Sequence, residues 1–132
     1  MPALRTIVLP GRESILRAAN LAAVPHEEWM QDWPIEVSNP DRLADFLGLL
    51  EAHRNDWELT FWFVDLALDS ARVRADLDQW SARLLDTVLL AVAATRSPAL
   101  IQKLEYWACA ELSLEDAFEV SPIVREILLK LS

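Results

Sequence analysis

Three carboxylates stand out by type and spacing. Glu58, Asp65 and Asp69 lie in the stretch Asp56-Trp-Glu-Leu-Thr-Phe-Trp-Phe-Val-Asp-Leu-Ala-Leu-Asp69. Wound as an α-helix at about 100° per residue, this stretch gathers them into a stripe about 40° wide, with Trp62 beside it. Oxygen ligands four apart, as at Asp65 and Asp69, could share a hard divalent cation if a second helix completed the coordination sphere. The same acids could pair with Arg54, Arg72, Arg74 or Arg83 at a helix interface, or face outward and meet a cationic partner. The outward reading makes Glu58, Trp62, Asp65 and Asp69 a partner-binding surface. Tyr106 joins it as an aromatic anchor: on its own helix it falls among Ala99, Gln102, Lys103 and Ala110, opposite the Leu104/Trp107 face.

Other chemistries find little support. His26-Glu-Glu-Trp-Met lacks the second His of the zinc-protease pattern, and His53 lies a whole helix away. Cys109 is the single cysteine and has no basic neighbours in sequence, which marks an inert thiol rather than a nucleophile. Phosphate-binding loops, nucleophile elbows, dinucleotide fingerprints and kinase signatures are absent from the sequence. No catalytic residue, metal site or cofactor is therefore assigned, and the chain is read as a non-enzyme. A metal-dependent enzyme using Asp65 and Asp69 stays as an alternative.

The carboxylates need helices to position them, and composition supplies helices. Two Gly in 132 residues leave little material for tight hairpins, and most of the seven Pro fall where helices would begin. A 53% hydrophobic share is ample for one core at this length. The expectation is an all-α, single-domain bundle of about five to seven helices, covering residues 1–132, with 1–11 an extended N-terminal arm. A short helix is expected from Pro25 to Trp33, with Trp29 and Trp33 pinning it to the body, followed by an extended connection over 34–38. Asn39-Pro40 starts a helix that runs to about Arg54 and buries Leu43, Phe46, Leu47 and Leu50. Asn55 and Glu58 have capping-box spacing for the carboxylate-bearing helix. A long helix follows from Asp76 to about Thr95. Ser97-Pro98 opens another that reaches Leu112, and Ser121-Pro122 opens the last. The segments 40–69 and 76–112 read as two similar helical hairpins, stacked as in a solenoid.

Charge and hydropathy narrow the partners. The net charge of −9 repels phosphate backbones and anionic membranes, and would attract a basic protein. No apolar run approaches the roughly 18 residues of a membrane span, and the N-terminus lacks the core of a signal peptide. A cytoplasmic location is expected. Exposed Leu49 and Leu90 would serve a homodimer, the other non-enzymatic alternative.

The pattern Tyr106-Trp107-Ala-Cys109, then Leu114-Glu115-Asp116-Ala-Phe118-Glu-Val-Ser-Pro122-Ile-Val-Arg125, together with Trp57 to Leu68, resembles small acidic bacterial immunity proteins that neutralise toxins. The resemblance covers the chain from Trp57 onward. It implies a protein that blocks a cognate basic toxin, such as a nuclease, by binding it, with no chemistry of its own. The resemblance assigns no residue a role.

Overall fold

A computed structural model describes residues 7–27, 29, 30 and 32–132. Seven α-helices follow one another among these residues: α1 (Arg12–Ala22), α2 (Trp33–Val37), α3 (Leu43–Ala52), α4 (Trp57–Arg72), α5 (Leu77–Thr95), α6 (Pro98–Ala108) and α7 (Ser121–Leu131), with a 3₁₀ turn at Pro40–Arg42 before α3. The all-α bundle expected from composition is what forms. Residues 1–6 of the expected arm lie outside the described residues, and 7–10 take no regular secondary structure.

α4 occupies the centre, packing on α1, α2, α3, α5 and α6. Its sequence dictates that place: Leu59, Phe63, Val64, Leu66, Ala67, Leu68 and Ala71 point in most directions around its axis and are all buried. Asp56 caps its N-terminus, its carboxylate accepting from the Leu59 N–H at 3.1 Å, so the cap falls one residue after the expected Asn55. Periodicity also places α3 correctly, with Leu43, Phe46, Leu47 and Leu50 fully buried. In α5, Leu84, Val88, Ala91 and Val92 face inward, while Arg83, Asp86 and Leu90 face out.

Several local expectations are corrected. The segment from Val24 to Glu27 is irregular and the helix forms later, over Trp33–Val37, where an extended connection was expected; Glu28 and Gln31 of the expected helix lie outside the described residues. Trp33 is buried there and its indole N–H donates to the Pro25 carbonyl at 2.7 Å, whereas Trp29 is 69% exposed. α6 stops at Ala108 because Cys109 adopts a left-handed conformation (φ 46°), which turns Leu112 out to solvent. Ser121 is not a cap: its hydroxyl donates to the Trp107 carbonyl and ties α7 to the end of α6. α3 and α4 pair as a hairpin, but α5 packs chiefly on α3, α4 and α7, and the second hairpin is α6 with α7.

Phe63→Ala should lower unfolding free energy by about 3–5 kcal/mol in urea titrations, as a cavity at the centre of the bundle demands; Leu90→Ala on the outer face of α5 should stay within about 0.5 kcal/mol. At Asp56, burial acts to raise the carboxyl pKa, but the Leu59 N–H and Arg17 outweigh it and hold the group below the ordinary carboxylate range. A depressed folded-state pKa contributes stability above the unfolded value and loses it as pH falls through the folded one. Asp56→Ala should therefore cost about 0.5–2 kcal/mol at neutral pH, a deficit that shrinks when denaturation is repeated below about pH 4.

Candidate functional site

A groove of about 460 Å³ opens where α2, α4 and α6 meet. Phe61 comes from α4; Ala99, Tyr106 and Trp107 from α6; Pro34 and Ile35 from α2. Asp32, Asp65, Gln102 and Lys103 supply its polar atoms. The α6 contributors follow from spacing: Ala99, Lys103 and Tyr106 are four and three apart, so they share a face beside the inward Leu100/Leu104/Trp107 arc.

Lys103 is the residue that sequence reasoning missed. Its side chain is only 7% exposed, its ammonium donates to Asp65 Oδ2, and it sits 3.4 Å above the Phe61 ring centroid. Asp65 Oδ1 accepts from the Trp107 indole N–H at 2.9 Å, so both carboxylate oxygens are engaged. Burial pushes the Lys103 amine below its usual range, while the charge and hydrogen bond of Asp65 act against that shift. A signal was present in the sequence: Leu100, Lys103, Leu104 and Trp107 keep the i, i+3, i+4, i+7 spacing of an inward face. Residue type pointed Lys103 outward; spacing pointed it in.

The outward stripe does not exist as expected. Asp69 is 4% exposed, accepts from the Ser38 hydroxyl and pairs with Arg72 Nε at 2.7 Å. Beside it Ser70 accepts from the Asn39 N–H at 3.0 Å, so this part of α4 fastens the chain between α2 and α3. Of the four arginines considered as internal partners, Arg72 alone pairs with a stripe carboxylate. Arg74 pairs with Asp76, and Arg83 approaches Glu51 at 3.9 Å. Trp62 donates its indole N–H to Ser14 at 2.9 Å and meets Trp33 and Phe61 edge to face, which joins α1 to α4. Glu58 is half-buried and its side chain makes no hydrogen bond or ion pair with the described residues; it lies outside the groove lining.

Tyr106 keeps its outward position. It is 59% exposed, stands edge-on to Trp107, and leans on Phe118 of the following loop. Of the five residues singled out from sequence, the structure thus brings Asp65 and Tyr106 to one groove, ties the buried Asp69 and the half-buried Trp62 into structural contacts, and leaves Glu58 apart. A divalent cation at Asp65 and Asp69 would have to displace Lys103 and Arg72. Among the described residues no group of three or more His, Cys, Asp or Glu is placed to hold a metal ion, and no helix is long and apolar enough to cross a membrane.

Asp65→Ala strands a buried ammonium and should cost about 3–5 kcal/mol in chemical denaturation, whereas the paired replacement Asp65→Leu with Lys103→Met should recover most of that loss. If the double variant were as unstable as the single, the ion pair would not be the source of the cost. Comparison with protein-family models, with curated proteins and with solved structures finds no match, so the groove and the surface around it are what bear on function.

Proposed function

We propose that this chain is a non-catalytic acidic binding protein of the bacterial cytoplasm that neutralises a cognate basic protein, such as a toxin nuclease. One observation carries the reading: the loop after α6 is rich in acids, contains no Lys or Arg, and is held in place. Between Cys109 and Val120 stand Glu111, Glu115, Asp116 and Glu119, all exposed. Leu112, Leu114 and Tyr106 are exposed among them.

Arg125 of α7 fixes the start of this loop, and Phe118 seats its later part on Tyr106 and Trp107. The Arg125 guanidinium donates to the carbonyl oxygens of Ala108 at 2.7 Å and Leu112 at 2.9 Å, and also to that of Cys109. The nearest α7 cation is therefore spent on main-chain oxygens rather than on the acids. A rigid acidic surface with a few apolar contacts loses little entropy on binding and steers a basic partner toward it. With Asp65 and Asp69 consumed internally, this loop and Tyr106 replace the α4 stripe as the partner-facing surface, with Glu58 a lesser contributor.

The protein encoded beside this chain in its host is the first partner to test. Reversing Glu111, Glu115, Asp116 and Glu119 to Lys should slow association with it at least about tenfold and flatten the salt dependence, leaving the thermal midpoint near the parent value. Unchanged association would remove the loop from the interface. Mass that rises with concentration, and no captured partner, would instead favour self-association through Leu90, which is 55% exposed.

A further inference from the structure

We infer that the α2/α4/α6 groove receives an arginine side chain of the bound protein. The inference rests on the reading of a basic partner and names the residue by which that partner is anchored.

The charges lining the groove decide the sign of its occupant. Lys103 and Asp65 neutralise each other, and the Phe61 ring covers the ammonium. Asp32 remains. It stands at the N-cap position of α2, makes no side-chain cap bond there, and forms no ion pair with the described residues; it is exposed at the groove edge. The adjoining turns carry Glu36 on α2 and Glu105 on α6, both exposed. An anionic guest would meet the Asp32 carboxylate with only a neutralised lysine to receive it. A cation finds one uncompensated carboxylate, and the positive charges near it among the described residues are already paired, Lys103 with Asp65 and, beside Tyr106, Arg72 with Asp69.

The walls decide which cation. Tyr106 and Trp107 stand edge to face at 84°, with Ala99, Pro34 and Ile35 completing an apolar slot. A long side chain whose methylenes lie against such walls while its head reaches the rim fits this division. Guanidinium suits the slot better than ammonium. It is planar and weakly hydrated, stacks on aromatic faces, and presents two parallel N–H groups to one carboxylate. Tyr106 borders both the groove and the acidic loop through its contact with Phe118, so one partner surface could fill the slot and lie across the loop at the same time.

The test uses the intact protein and small probes. N-acetyl-arginine N-methylamide, the corresponding lysine and norleucine amides, and sodium acetate would each be titrated while proton–nitrogen correlation spectra are recorded. The Trp107 indole N–H resonance reports the groove through its bond to Asp65. The expected result is a saturable shift of that resonance with the arginine probe alone. Asp32→Asn should weaken it by about three- to tenfold, the scale of one exposed charge-assisted contact, and Glu51→Gln at the α3/α5 surface should leave it unchanged. Equal shifts with norleucine or lysine, a response to acetate, or no response to arginine would each overturn the inference. Because the natural partner is absent from this titration, a failure here leaves the acidic loop reading standing. A positive titration with no partner in the cell would overturn that reading, and with it the assignment of the arginine to a bound protein, while leaving a groove selective for guanidinium.

Discussion

An ammonium taken out of water costs several kcal/mol unless something replaces its hydration, and the arrangement of α4 against α6 is built around meeting that cost at Lys103. Asp65 supplies the opposite charge, Phe61 the face of a ring, and Trp107 a donor that occupies the second carboxylate oxygen. These groups come from two helices far apart in sequence, so the pair is satisfied only when α4 and α6 are in register. A shift of α6 by one residue would swing Lys103 off Phe61 and bring Leu104 or Gln102 toward Asp65. The apolar contacts make the bundle cohere; the ion pair makes this particular docking of the two helices the satisfied one.

Asp69 shows the same logic about one turn further along α4. Its partners, Ser38 and Arg72, together with Asn39 on Ser70, hold the connection between α2 and the 3₁₀ turn against the central helix. The polar residues on this aromatic-rich helix act as fasteners for chain segments that have too few apolar side chains to hold themselves.

Much of this fold was legible in the sequence because most of its helices are long enough to express a 3.6-residue period. Leu43, Phe46, Leu47 and Leu50 declare α3, and the alternating faces of α5 declare its length. α2 was not legible: five residues, Trp-Pro-Ile-Glu-Val, span little more than one turn and carry no period. The end of α6 was hidden because its left-handed residue is Cys109 rather than Gly. At the site, Tyr106 could be placed from its own helix alone. The Arg72 partner of Asp69, three residues on along α4, was also within reach of spacing; Lys103 and Trp107 on another helix and Ser38 on a loop were not, because spacing along α4 says nothing of them.

The acidic loop and the aromatic groove differ in how they are made. The groove is lined by side chains that also hold the core, so its shape is bound to the stability of the bundle. Phe118 seats the end of the loop on Tyr106 and Trp107, and Arg125 holds its start by bonds to carbonyl oxygens alone. Main-chain oxygens are the same whatever residue carries them. The exposed side chains at 111, 114 and 115 take no part in those bonds, so on the proposed reading a lineage of such proteins can change the target it recognises while the scaffold beneath stays as it was.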